Sequence, residues 1–414
     1  MRRSIKILKK LGKGLLVVAL VLVVVYNIWA LILGRSVENK IQAIKDSGKP
    51  VSLADIHEAI PREQNAAPLY EKAFSLLNVQ NDPDLPDIHY SHVLRPDIRN
   101  EEPRVWDVAR RVLEQNREVI SLVEEAVELP DCRFDHGPTP ESRLAMYAKA
   151  REVTRLLNTG ALVAASDGQM DRAVELLDIG FRHSRILDRE QIAIGRMVQH
   201  AILVMSSAYL PQVLQQGSIN ERHARKLYDT LATLDQPQIA EVLEGERAYG
   251  LSAMRTQMTR APRLFRYASE LAYLDMAEKH IEAANYLHRE AVALGMWQAE
   301  LSSRFRLTFH RVLADSAERV YRRLIVTRDN DLVRLSGTQT VLALEAYRSR
   351  YGEYPADLDE LRARLGWEIP YDVFSGKDFV YKPSASGFLL YSIGENLQDN
   401  GGDEMKDIAW RLER

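Results

Sequence analysis

A single cysteine, Cys132, stands in 414 residues, so no intramolecular disulfide can form. The ten histidines are scattered. No His-Glu-x-x-His, Glu-x-x-His or Cys-x-x-Cys spacing occurs, which removes the familiar zinc and di-iron arrangements. Gly-x-Ser-x-Gly, Walker A and dinucleotide fingerprints are also missing. Excess charge of one sign is absent: 55 Lys and Arg face 58 Asp and Glu. Basic runs such as RRLIVTRDNDLVR lack interleaved stacking aromatics. A nucleic-acid surface is therefore not expected.

What charge there is lies unevenly. Arg2, Arg3, Lys6, Lys9, Lys10 and Lys13 contribute +6 to a net −3, so the rest of the chain carries −9. The run GLLVVALVLVVVYNIWALILG follows, residues 14–34, without a charge. About twenty apolar residues at 1.5 Å rise span the roughly 30 Å hydrocarbon core. Tyr26 and Trp29 lie toward its far end, where amphipathic rings favour the interface. A cleaved signal would have an apolar region of about 7–15 residues and a small-x-small site. The sequence predicts an uncleaved transmembrane anchor with a cytoplasmic N-terminus, residues 1–13. The body then lies outside the cytoplasm, periplasmic in a Gram-negative bacterial inner membrane.

Residues 35–103 read as short helices and a Pro/Asp-rich loop. A helical stretch covers Val37 to Asp46, a brief helix follows Ser52, and Asn65 to Leu77 has helical apolar spacing. NDPDLPDIHYSHVLRPDIRNEEP, with four prolines, reads as a loop or extended excursion. Residues 104–330 read as an irregular array of antiparallel helical hairpins. YLDMAEKHIEAANYLHREAVALGMW reads as one long amphipathic helix carrying both His280 and His288. Residues 331–414 read as a small α+β module. Its helix ends near Arg350, LDEL makes a second, and FVYK and FLLYSI pair as a hairpin before IAWRL. The fold class is thus mainly α after one transmembrane helix, closed by a C-terminal α+β module.

Three stretches resemble known families. LLNTGALVAASDGQMDRAVELLDIGFRHSRIL, Leu156 to Leu187, resembles one tetratricopeptide-type unit. Gly160, Ala164, Ala165 and Ala173 permit close helix approach, and Asp167-Gly168 makes the turn. NAAPLYEKA, Asn65 to Ala73, is similar to a segment of uncharacterised bacterial envelope proteins. LEAYRSRYGEYP, LDEL, IPYDVFSGKDFVY and GFLLYSIGENLQDNGGDEMKDI, in that order, resemble the periplasmic domain of the major pseudopilin of type II secretion systems. That family's prepilin leader and its Gly-Phe-Thr-Leu-Ile-Glu start are not present here.

The last of these stretches gathers oxygen. Asn396, Asp399, Asn400, Asp403 and Asp407 surround Gly401-Gly402. By residue chemistry alone this is a polar hairpin turn or a calcium loop. The pseudopilin resemblance implies structural calcium, with Asn396 and Asp407 at ligand positions and Asp399 and Asp403 as further ligands. Asn396 stands where the family has Asp, and Leu397 where it has Gly.

These features point to a membrane-anchored, non-enzymatic scaffold. Its helical array would bind another envelope protein, and its end would be a calcium-stabilised, pseudopilin-like module that links it to a secretion system. The alternative is an extracytoplasmic enzyme with its site between helices of residues 100–330, using groups such as Glu246, Arg247, Glu278 and His280. His89 and His92, with Asp82, Asp84 and Asp87, are a weaker metal candidate.

Overall fold

The computed structural model describes residues 2–56, 60–79, 89–135, 140–234, 238–296 and 308–413. The chain divides into two compact units. The first comprises residues 1–58, 243–285 and 298–322; the second comprises 59–242, 286–297 and 323–414.

The first unit begins with α1, Arg2–Asp46, a single 45-residue helix. The sequence reading separates an anchor from a short helix after Val37. The structure joins them, because nothing between Gly34 and Asp46 breaks a helix. Along the apolar run Leu15, Leu16, Leu20, Leu22 and Leu31 are 61–71% exposed. Among the described residues this is the one helix long and apolar enough to cross a membrane. Its later turns bury Ala30, Val37 and Ile41 against α12, Arg263–Ala283. Residues 243–257 of α11, Ile239–Gln257, also belong to this unit. The Tyr273 hydroxyl donates to the Glu246 carbonyl at 3.0 Å, and that of Tyr321 donates to the Leu243 carbonyl at 3.2 Å.

The second unit is the hairpin array with the α+β module on the same core. Its helices are α2 (Ala67–Leu76), α3 (Pro96–Glu101), α4 (Val105–Gln115), α5 (Arg117–Ala126), α6 (Pro140–Ser166), α7 (Met170–His183), α8 (Ala193–Ala208), α9 (Leu210–Gln216) and α10 (Glu221–Ala232). α6 and α7 form the hairpin expected at Leu156 to Leu187. Gly168, at φ 74°, makes its turn, a conformation that favours glycine. A Cβ at Gly160 would lie 3.1 Å from Leu176 and 3.3 Å from Leu113, so the small residue sets the helix spacing. Part of the Pro-rich excursion is helical: α3 starts on Pro96, a favoured first position. Its residues 81–88 lie outside the described residues.

The long helix expected over Tyr273 to Trp297 is not continuous. α12 stops at Ala283, and a turn leads into α13, His288–Ala293. His280 and His288 therefore stand on different helices.

The module opens within α14, Thr308–Tyr351, which runs unbroken through position 331. α15, Leu358–Leu365, follows. Asp357 caps its start by accepting from Glu360 N at 2.8 Å, and left-handed Gly366 ends it. β1 (Val380–Pro383), β2 (Gly387–Ser392) and β3 (Ile408–Glu413) form an antiparallel sheet in that order. Tyr391 pairs with Val380 on one side and Ala409 on the other. Trp410 of β3 lies on α14 at Gly337, where a Cβ would fall 2.1 Å from the indole. Only glycine permits that approach. β3 also meets α9, so the sheet is bound to the hairpin array.

Candidate metal centre and neighbouring polar sites

The loop between β2 and β3 is built by side chains that cap its own backbone. Asn396 Oδ1 accepts from Gln398 N at 2.9 Å, and its Nδ2 donates to Asn400 Oδ1 at 2.8 Å. Asp399 Oδ1 accepts from Gly401 N at 2.8 Å and from the Tyr391 hydroxyl of β2 at 2.9 Å. These donors hold the Asp399 carboxyl below its usual range. Asp403 Oδ1 accepts from Met405 N at 3.0 Å. Gly401 and Gly402 take φ values of 76° and 85°. Leu397 takes φ 57°, where the pseudopilin pattern has glycine.

Asp407 differs from the other three. It is 5% exposed, and its Oδ2 accepts from Asn400 N at 3.1 Å and Gly402 N at 2.8 Å. Its Oδ1 is buried and has no hydrogen-bond partner. A carboxylate oxygen left this way costs free energy unless a cation or water meets it. The donor set (carboxylates, amides and turned carbonyls) suits a hard cation. Among the described residues, however, no three acidic, His or Cys groups converge as a metal cage. Asn396, Asp399 and Asp403 each stay committed to local N–H groups.

The groups named for an enzymatic alternative each make contacts within the first unit. Glu246 offers its carbonyl to Tyr273. Buried Arg247 donates to the Pro50 carbonyl at 3.3 Å, and burial lowers its guanidinium pKa. Glu278 pairs with Lys40 at 2.6 Å. His280 Nδ1 donates to the Met276 carbonyl at 2.8 Å, and burial lowers its pKa. Its ring stands edge-on to Tyr321. His288 Nε2 donates to the Glu395 carbonyl at 3.2 Å, at the start of the β2–β3 loop. His89 and His92 cap a single turn, His89 N donating to His92 Nδ1 at 3.2 Å. Asp82, Asp84 and Asp87 lie outside the described residues. Cys132 is buried, which raises its thiol pKa well above the usual value and keeps it protonated.

Two polar sites in the second unit escaped sequence reasoning. The first joins α8 to α14. Asp331 is 0% exposed and accepts from Arg196 Nη2 at 2.5 Å and from His200 Nδ1. Arg196 Nη1 donates to Gln199 Oε1 at 2.9 Å, and Gln199 in turn donates to Asp188. Burial pushes the Asp188 carboxyl up to about 6. Partners 135 residues apart carry no local signal. Only the oddity of an Arg and a His on an otherwise apolar helix face could have pointed to them.

The second is an open cleft of about 530 Å³ between α10, α14 and the residues after α15. Tyr228 and Trp367 floor it, edge to face at 5.1 Å. The Arg225 guanidinium lies 5.6 Å from the Tyr228 ring centre and 5.0 Å from that of Trp367. Asp229 holds Arg225 Nε at 2.8 Å. Gln339 and Glu368 complete the polar rim.

Comparison of the chain with protein-family models, with curated proteins and with solved structures gives no match.

Proposed function

We propose that this is a single-pass protein of a bacterial inner membrane, its N-terminus cytoplasmic and its body periplasmic. The body acts as a scaffold that docks another envelope protein. The observation that carries the reading is the cleft of Arg225, Tyr228 and Trp367. Arginine, tyrosine and tryptophan on a partly desolvated floor with a polar rim are the residues that dominate protein interfaces. The exposed apolar length of α1 supports the anchor. A photo-crosslinking residue at Gln339 in intact cells tests the docking. One discrete adduct, lost in Arg225→Ala and Trp367→Ala, is expected. An adduct unaffected by both variants, or none, rejects it.

Calcium at the β2–β3 loop completes the proposal. Asp407 would give its unpartnered Oδ1. Asp399, Asp403 and Asn396 would contribute after modest rotation of their side chains. The ion would neutralise an acidic turn and tie β3 to β2, a structural role in keeping with the pseudopilin resemblance. Calorimetric titration of the full chain in detergent tests this, with Asp407→Ala as the control that removes the heat.

A second reading, an enzyme, is favoured by one observation. His200 is oriented by fully buried Asp331 while keeping 20% of its side chain accessible, the arrangement used for general bases. Its test is whether His200→Ala abolishes function in cells while the protein remains folded.

A further inference from the structure

The first unit holds a helical hairpin that packs along α1. Residues 243–257 of α11 and all of α12 form a hairpin whose arms are pinned by Arg255 Nη2 to Glu270 Oε2 at 3.0 Å. The tip between them is QMTRAPRLFRY, residues 257–267.

Three contacts fix the level of this tip along α1. The Tyr26 hydroxyl accepts from Leu264 N at 3.4 Å. A Cβ on Gly34 would lie 3.1 Å from the Tyr267 ring. Lys40 pairs with Asp275 at 2.8 Å and Glu278 at 2.6 Å. Both sequences rise together, so α12 runs parallel to α1. Its first turn stands at the level of Tyr26 to Gly34. At 1.5 Å per residue Tyr26 lies about 12 Å before Gly34. The first charge after the apolar run is Arg35. The start of α12 is therefore level with apolar helix, below the point where charge resumes.

The composition of the tip matches that depth. Leu264, Phe265 and Tyr267 supply apolar and amphipathic surface, each half-buried. Arg266 is turned inward, 5.1 Å from the Tyr267 ring centre and 3.8 Å from Glu270. Arg260 and Arg263 are exposed and form no ion pair among the described residues. No acid lies between 257 and 267. Long arginine side chains bury their stems and lift their charge to the phosphate level. Tyr26 and Trp29 on the neighbouring helix are the residues of an interfacial belt.

We infer that the α11–α12 tip lies in the outer leaflet of the membrane that α1 crosses, at the boundary of headgroups and acyl chains. Leu264 and Phe265 enter the acyl region, and Arg260 and Arg263 bind the phosphates of anionic lipids. This rests on α1 being a membrane anchor. It adds that the first unit touches the bilayer at a second place, the α11–α12 tip, besides α1 itself. The apolar length left to lipid alone, Gly14 to Trp29, is about 24 Å, so the leaflet thins around the tip.

Spin labels on the full chain in lipid nanodiscs, in a Cys132→Ser background, test this. Labels are placed by Leu22→Cys in the apolar run, Arg263→Cys at the tip and Glu282→Cys at the far end of α12. The expected result is oxygen accessibility above nickel-chelate accessibility at 22 and 263, with the reverse at 282. Adding anionic lipid should further lower nickel-chelate access at 263, and Arg260→Glu in the same chain should remove that response. A water-like label at 263 with a lipid-like label at 22 overturns the inference and leaves the anchor standing. A water-like label at 22 removes the anchor and the inference together.

Discussion

Asp331 and Asp407 are both buried carboxylates of the second unit, and the regions around them treat the charge in opposite ways. At α8 and α14, Asp331 receives a guanidinium and an imidazole, and Gln199 links the arginine onward to Asp188. The charge is neutralised by protein alone. At the β2–β3 loop, Asp407 receives only backbone N–H groups, on one oxygen, and its other oxygen has no partner. Both oxygens of Asp331 thus have a partner. Asp407 has room in its chemistry for one more positive group. The two carboxylates therefore differ in whether the protein meets both oxygens or only one.

The largest effect separates the two directly. Asp331→Ala leaves Arg196, itself 1% exposed, without its counter-charge. Breaking one side of a buried pair costs about 3–5 kcal/mol. Urea unfolding of the full chain in detergent should show that loss with or without calcium. A variant as stable as the parent would mean that Asp331 is not neutralised as described.

Acid provides the next test, at His183. The ring is fully buried, Nε2 donating to the Ala150 carbonyl at 3.0 Å while Nδ1 accepts from the Tyr70 hydroxyl at 3.1 Å. Burial pushes its pKa down to about 4 from 6.5. A folded pKa below the unfolded one means stability that is whole above pH 6.5 and lost as pH falls toward 4. The loss amounts to about 3 kcal/mol. Asp188 acts with the opposite sign: its carboxyl, raised to about 6, favours the folded state as pH drops below that value. His183→Gln keeps both hydrogen bonds and removes the first effect only. Melting temperature measured from pH 7 to pH 4 should then fall in the parent and flatten or rise in the variant. A parallel fall in both would assign the acid sensitivity elsewhere.

Calcium sharpens the other side of the comparison. At a hundredfold excess over Kd, binding to the folded state adds about 2.7 kcal/mol. The expected result is a calcium-dependent rise in melting temperature that chelator reverses and Asp407→Ala abolishes. Asp331→Ala should keep the same rise from a lower baseline. A rise surviving Asp407→Ala would place the ion elsewhere.

The two regions also differed in legibility. The β2–β3 hairpin, the turn at Gly401-Gly402 and the final strand follow from residues adjacent in sequence. So does the α6–α7 hairpin, where Gly160 and Asp167-Gly168 mark close approach and turn. The break after Ala283 was hidden, because ANYLHRE has helical apolar spacing and no proline. The Arg196–Asp331 cluster and the Arg225–Tyr228–Trp367 cleft join distant segments, and their residues look like ordinary solvated ones until the helices pack. The sequence boundary at Asp331 marks a change of pattern within α14. It is also where Asp331 ties α14 to Arg196 and His200 of α8. A fragment beginning there would lose Arg196 and His200, so the module is best studied in the whole chain.

The smallest effect tests whether the loop is shaped for the proposed calcium or for its own packing. Leu397 holds φ 57°, a left-handed conformation that costs an L-residue roughly 1–2 kcal/mol. Leu397 also packs against the hydrophobic core. Leu397→Gly removes the strain and the packing together, so the two changes oppose and net stability should shift by less than about 1 kcal/mol. Calcium affinity should respond separately. If the loop is held in its ion-binding form by backbone geometry, glycine preserves affinity, as the pseudopilin pattern implies. If the leucine side chain anchors the loop, affinity falls while the melting temperature without calcium scarcely moves. Titration of both proteins under identical salt distinguishes the cases, because strain acts on folding and anchoring acts on the geometry offered to the ion.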